Sequence, residues 1–354
     1  MNVLQKLKGV SSTAGLDIGT HSIKLVKIHH LKEGKLLEAA GIKEVPEGTI
    51  EGSEIKNREA LVDAITTLVN QCDPGIVEVV ISMSGHGIIS DKCTFKIDPG
   101  ENTEELILWE AGQRSPFDVD DITLDYRILH REEQSNEVEV LLVAAKNQIM
   151  QSYIDLLYDS GLKPVIVDVD AFALNNCYAL ESEGHAEPGV AMLLNVGHDL
   201  TNVTFVKEGL YHSTRDISTA GDFFCRTIQR NLGLNKEDAL ELMKGKNDKN
   251  VDTDLYKRSV EYAAEELSSG IDLAFSYFKS SEKSDAVDKI ILSGGGAYIE
   301  GLAELLEKRY ETTVQVSNPL TALQYDPELF GSRDPGEFSA LLSVAVGLAL
   351  RKVQ

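Results

Sequence analysis

Asp17, Gly19, Thr20, His21, Ser22 and Lys24 place a dense set of polar groups between two apolar runs. Ala14 to Ile18 feeds into Gly19-Thr20; Ile23, Leu25, Val26 and Ile28 then resume an apolar pattern, with Lys24 and Lys27 between them. The pattern predicts two strands joined by a tight turn. A turn of this composition has the chemistry to hold phosphate. Gly19 has no Cβ, so the backbone can approach a ligand closely. The N–H groups from Gly19 to Ser22 can form an anion-binding concavity. Thr20, His21 and Ser22 add side-chain donors, and Lys24 adds a positive charge. Asp17, at the mouth, can hold a water of a hydrated Mg2+. An ordinary hairpin turn has the same local pattern, so this segment alone leaves both readings open.

A second segment repeats the form. Leu193-Leu194-Asn195-Val196-Gly197-His198 leads into Thr201 and the apolar run Val203 to Phe205. Asn195 lies two residues before Gly197, as Asp17 lies two before Gly19. The copies are about one domain length apart, which reads as an internal repeat of a phosphate-hairpin lobe. A third cluster, Gly294-Gly295-Gly296, follows the apolar run 289–292 and precedes a helix expected from about residue 299. A glycine turn and a helix N-terminus would then lie near a ligand.

The surrounding periodicities supply the elements that position these turns. Residues 14–83 predict a βββαβ lobe, with a third strand over 36–42, a helix over 58–71 and a returning strand over 77–82. Residues 84–163 read as a βαββα insert, with strands over 88–97, 122–129 and 138–144 and helices over 103–113 and 147–160. A strand over 165–169 and a crossing helix over 170–181 return to the first lobe. Residues 182–188 are the expected linker. The second lobe, 185–336, adds helices over 221–232, 236–244 and 260–279. An apolar helix over 338–351 completes the first lobe. Residues 1–13 read as a tail.

Composition bounds the function. The chain has 354 residues, 42% hydrophobic and 26% charged, which is the balance of a globular protein with ample core. A net charge of −23 disfavours nonspecific binding to nucleic acid or to an anionic membrane surface. Cys72, Cys93, Cys177 and Cys225 are scattered without a C-x-x-C pair, so reduced thiols are expected rather than a zinc site. No run of about 18 apolar residues predicts a membrane span, and no signal-peptide core is present. A cytoplasmic protein is expected.

Two phosphate hairpins followed by a strand–Gly-Gly-Gly–helix unit resemble the actin-like ATPase superfamily. Within it, Ile23-Lys24-Leu25-Val26, Trp109-Glu110-Ala111, Ser115-Pro116-Phe117-Asp118, Leu124-Asp125-Tyr126 and Val167-Asp168-Val169-Asp170 resemble the PilM family of type IV pilus machines. The resemblance runs from about residue 14 to the C-terminus. It implies an α/β actin-like fold of two RNase-H-like lobes with a small α+β insert of the kind PilM shares with FtsA. It implies Mg-ATP or ADP bound between the lobes, by Asp17, Gly19, Thr20, His21, Ser22 and Lys24 from the first hairpin. From the second lobe it implies Asn195, Gly197, His198, Thr201, Gly221, Gly294, Gly295 and Gly296. It also implies a partner, the N-terminal cytoplasmic tail of PilN, and a place beside the inner membrane through partner proteins. Self-association is left open. Trp109, the only tryptophan, reads as a core aromatic or as the wall of a peptide groove closed by Pro116 and Phe117.

The chain departs from the superfamily pattern at three points. Asn195 stands where relatives usually carry an Asp that helps hold the metal's water shell; Asn has the same size but no charge. The nucleotide-contacting helix usually reads Ala-Glu-x-x-Lys. Aligned on Ala239, this chain has Leu240 and Met243, with Glu241 and Lys244 one residue further on, a rotation of about 100° on a helix. Asp170, the expected catalytic residue, stands where relatives often place a longer Glu to orient the attacking water. These departures predict binding with weak or absent hydrolysis. Two rival readings share the fold. One is an FtsA-like filament protein, which needs an amphipathic C-terminal tail that the end of this sequence does not resemble. The other is a small-molecule kinase.

Overall fold

The computed structural model describes residues 12–97, 102–114, 116–132, 136–182, 188–247, 250–281 and 286–352. Most of the expected tail, the centre of the expected linker and Ser115 lie outside the described residues.

Strands β1 (Ser12–Ile18), β2 (Ser22–His30) and β3 (Lys35–Glu44) form an antiparallel meander. A two-strand ribbon, β4 (Ile50–Glu51) and β5 (Glu54–Ile55), leads to α1 (Arg58–Cys72), whose first turn is capped by Asn57 accepting from Ala60 N–H. Strand β6 (Glu78–Met83) then runs parallel to β1. The insert comprises β7 (Ile88–Lys96), α2 (Thr103–Arg114), β8 (Ile122–Glu132) and β9 (Glu137–Lys146), with β9 central in a three-stranded sheet. Helix α3 (Asn147–Asp159) and β10 (Lys163–Val169) return the chain, and β10 completes a five-stranded sheet in the order β10-β6-β1-β2-β3.

Helix α4 (Asp170–Glu181) crosses to the second lobe, where β11 (Val190–Val196), β12 (Thr201–Lys207) and β13 (Leu210–Ile217) form a second meander. Helices α5 (Gly221–Leu232), α6 (Lys236–Met243) and α7 (Thr253–Ser281) follow, then β14 (Lys289–Ser293), α8 (Leu302–Tyr310) and β15 (Thr313–Val316). The second sheet has the order β13-β12-β11-β14-β15, the same topology as the first. Helix α9 (Ser343–Ala349) ends the described elements.

The two sheets enclose the crossing helices. Ala173, Leu174 and Tyr178 of α4 and Val344 and Leu348 of α9 form one buried cluster with Val80 of the first sheet and Ala191, Leu193 and Ile291 of the second. A Cβ on Gly347 would lie 1.8 Å from Ala173 O, so only glycine permits the α4–α9 approach. Buried Asp168 accepts a bidentate pair from Arg351, which ties the ends of the two crossing segments together. On its other face the first sheet packs against α1 and α3, and the second sheet packs against α5, α6, α7 and α8. Strands covered on both sides carry near-continuous apolar runs, which explains why the segments around residues 16, 81 and 193 read so clearly.

The two-lobed architecture agrees with the sequence reading, but two local expectations do not. Helix α3 was expected in the insert; its Tyr153, Leu156 and Leu157 are buried in the first-lobe core instead. The insert has its own small core of Cys93, Phe95, Ile97, Ile107, Ala111, Val138, Val140 and Leu142. Trp109 is not part of it: this side chain is 61% exposed on α2. After the glycine cluster, a 3-10 turn over Gly295–Tyr298 precedes α8, which starts at Leu302 rather than near residue 299.

Candidate functional site between two hairpin turns

Asp17 and Lys24 are register partners across the first hairpin, and their side chains form an ion pair at 3.2 Å. Both are mostly buried, at 14% and 13% exposure, so the pair sits in a recess rather than on an open face. Lys24 Nζ also donates to Ser22 O at 3.2 Å. The turn closes through Gly19 N–H to Ser22 O at 3.2 Å. A Cβ on Gly19 would stand 3.0 Å from Ser22 O and 3.2 Å from Lys24 Nζ, a tight fit that favours glycine at this turn. Val45 N–H donates to His21 O at 3.0 Å and props the turn from the end of β3.

The second hairpin repeats this backbone with different chemistry. Gly197 N–H donates to Leu200 O at 3.0 Å, and a Cβ there would lie 2.7 Å from the same oxygen. The register partner of Asn195 is Asn202, a neutral pair where the first hairpin has a charged one. Asn195 Oδ1 accepts from Ser293 Oγ at 3.3 Å, which links the hairpin to the strand before the glycine cluster. Gly294 has φ +77°, and a Cβ on it would lie 2.5 Å from Val196 O. A Cβ on Gly296 would meet Val196 at 2.3 Å. Two of the three glycines therefore serve close packing on the second hairpin; only Gly295 has open space beside it, with Leu341 at 3.8 Å.

The two turns meet. The rings of His21 and His198 lie 4.9 Å apart, tilted by 32°. Burial, followed by the neighbouring His198, lowers the pKa of His21. Across the same mouth Lys236 of α6 pairs with Glu47 of the first lobe at 2.7 Å. Asp170, at the start of α4, faces Asp17, Ser82 and Ser84, with Asp216 also close enough to act on it. Burial and the charge of Asp17 push the Asp170 carboxyl up to about 6, although hydroxyls of Ser82 and Ser84 bond to it. The structure thus brings Asp17, Lys24, His21, His198 and Asp170 to one inter-lobe recess.

Other expected contacts are placed elsewhere or already occupied. Thr201 is fully buried and donates to Thr219 O at 2.7 Å, a bond that shapes the second lobe. Gly221 N–H, at the start of α5, donates to Gly197 O at 2.9 Å, and Asp222 N–H to His198 O at 2.9 Å. These α5 amides hold the turn instead of facing an open anion site. On α6, Met243 is buried in the second-lobe core and partly buried Leu240 packs against it, so the two positions that carry charge in the superfamily motif face the core here. Glu241 accepts from Lys244 at 3.3 Å and from Lys246 at 2.7 Å, an exposed local network. In the insert, Pro116 is exposed, and Lys146 Nζ lies 4.7 Å from the centroid of the Phe117 ring. The loop folds back on α2 because Gly112 leaves room for Val119, which would stand 3.0 Å from a Cβ there.

Asp216 and the serines Ser82 and Ser84 were not singled out from the sequence. Ser82 and Ser84 lie at the end of β6 and Asp216 on β13, and only the fold brings them near Asp170. Among the described residues, no group of three or more His, Cys, Asp or Glu side chains is arranged to hold a metal ion. Asp17 is already paired with Lys24, so a bare divalent ion would have to displace that pair to ligate it.

Comparison with known proteins agrees with this fold. A solved structure titled as a PilM–PilN type IV pilus biogenesis complex matches with a TM-score of 0.82 and 26% identity, covering 97% of this chain and 98% of the other. The ethanolamine utilization protein EutJ of Carboxydothermus hydrogenoformans has the same fold, with a TM-score of 0.58 and 14% identity, over 96% of this chain and 89% of the other. So does MreB 5 of Spiroplasma citri bound to AMPPNP, with a TM-score of 0.52 and 12% identity, over 95% and 94%. No described helix is long and apolar enough to cross a membrane. The model of the family described as type IV pilus assembly protein PilM matches residues 15–353, and with nearly the whole sequence inside that match the chain belongs to the PilM family of actin-like proteins.

Proposed function

We propose that this chain is a nucleotide-responsive scaffold of type IV pilus assembly. It binds Mg-ATP or ADP between its lobes and captures the cytoplasmic tail of a PilN partner on the insert side. The observation that carries the nucleotide reading is the meeting of the two hairpin turns, with His21 and His198 4.9 Å apart beside the Asp17–Lys24 pair. Phosphates entering this recess meet the amides of the first turn, the Lys24 ammonium and the imidazoles. Lys24 would hold phosphate oxygens and Asp17 would face the hydrated Mg2+, which when bound would supply neutralising charge. Asp170 lies where it can orient a water. The neutral Asn195 on the second hairpin, where relatives carry a carboxylate, favours slow turnover.

The partner reading is supported by the relative solved as a PilM–PilN complex, whose length this chain matches almost completely. Exposed Trp109 and Pro116, with partly buried Phe117, offer apolar anchors for an extended peptide. The protein would then work in the cytoplasm, held at the inner membrane by its partner. Calorimetric titration with Mg-ATP, and separately with a synthetic PilN-tail peptide, tests both parts. Micromolar or tighter binding of each is expected. Phe117→Ala should weaken the peptide alone, by about tenfold, the effect of losing one anchor. No binding of either ligand would remove the proposal.

A further inference from the structure

The outermost strand of the second sheet, β13, rests on the insert. Its side chains and those of the adjoining turn reach the insert at successive points. At the cleft end, Asp216 Oδ2 accepts from Gly85 N–H at 2.7 Å, while its other oxygen accepts from Asn202, the register partner of Asn195. Leu200, in the second phosphate turn, packs on the same glycine: a Cβ on Gly85 would lie 2.9 Å from it. Gly85 has φ +76° and opens the short 3-10 turn Gly85–Gly87 that joins β6 to β7. Further out, the hydroxyls of Ser90 on β7 and Tyr211 on β13 are 2.8 Å apart. Tyr277 of α7 donates to Asp91 Oδ1 at 3.4 Å, under the guanidinium of Arg215 3.8 Å from its ring centroid.

These contacts form a continuous physical path from the second hairpin turn to the first strand of the insert. The path crosses a glycine entry that absorbs backbone rotation at low steric cost. Covering two edge strands explains part of the arrangement, since β7 and β13 each lack a pairing partner on this side. It does not explain why the contacts begin at the phosphate turn. We propose that β13 is a transmission arm: occupancy of the cleft repositions the second hairpin, and β13 carries that change through the Gly85 entry to the insert. Resting on the nucleotide reading above, this makes cleft occupancy and occupancy of the insert surface thermodynamically linked.

Hydrogen exchange on the full chain, with and without Mg-ADP, tests the arm. In wild type, Mg-ADP should slow exchange across Ile88–Lys96 and at the Gly85–Gly87 turn by about fivefold or more, the lower range for coupled sites. The Tyr211→Phe/Tyr277→Phe variant removes only two hydroxyls, so it keeps the fold and binds Mg-ADP within about threefold of wild type. It should retain the response at Gly85–Gly87 and lose it along Ile88–Lys96. Mg-ADP binding without any insert response, or the same response in wild type and variant, overturns the arm and leaves the nucleotide reading intact. No Mg-ADP binding to wild type overturns both.

Discussion

The two lobes share one backbone plan and differ in the chemistry hung on it. Each has a five-stranded sheet of the same order, and each hairpin closes through a glycine N–H and a carbonyl three residues later. At equivalent register the first carries Asp17 opposite Lys24, and the second carries Asn195 opposite Asn202. The turn geometry is retained in both copies because both sheets need it. At these register positions the charge is present in one copy only. In the proposed reading, charge on a single hairpin draws and holds a polyphosphate, with Lys24 as the cation and the turn as the source of amides. Clamping a metal and a water for in-line displacement asks for charge from both sides. Under that proposal the difference separates binding from turnover.

The largest expected effect breaks the first hairpin. Gly19→Val places a branched side chain where even a Cβ would press on Ser22 O and Lys24. Mg-ATP affinity should fall by about a hundredfold or more, through loss of both the turn amides and Lys24. Isothermal titration checks this, with circular dichroism to verify the fold.

Asn195→Asp would make the hairpins more alike. The replacement is nearly isosteric and keeps an oxygen for the Ser293 hydroxyl. Wild type should release phosphate far below about 10 s⁻¹, the middle of the enzyme range. The variant should turn over about tenfold faster or depend more steeply on Mg2+. Slower release by the variant would identify Asn195 as a working group.

A smaller effect concerns Asp170. Its folded pKa of about 6 lies above the ordinary carboxylate value of 3.8. The ionised form is therefore disfavoured in the fold, a cost fully present above about pH 6 and removed as pH falls toward 4. Asp170→Asn should stabilise the ligand-free protein by about 1–2 kcal/mol at pH 8, less than the full shift implies because the residue is only partly buried. Near pH 4 the two proteins should unfold alike. Denaturant melts at both pH values measure the difference.

How much of this was legible in the sequence depended on how local each feature is. The hairpins announced themselves through apolar runs broken by Asp-x-Gly and Asn-x-Gly, and the fold class followed from their repetition. Asp170 was legible as the first residue of a helix after a buried strand. Thr201 was misread because nothing in sequence shows that its hydroxyl is taken by Thr219 O. Helix α3 was grouped with the insert because chain order does not tell which of two cores a helix face joins. Asp216 was missed because its meaning depends on Gly85, far away in sequence, and on the packing of one lobe against an excursion from the other.

The most direct test of the asymmetry is a side-by-side titration of Mg-ATP into wild type, Lys24→Ala and Asn195→Ala. The account predicts a loss of about 1.5–3 kcal/mol for Lys24→Ala, the scale of a hydrogen bond to a charged group, and a loss of less than about 1 kcal/mol for Asn195→Ala. Equal losses, or a larger loss at Asn195, would contradict it and give the second hairpin the binding role assigned here to the first.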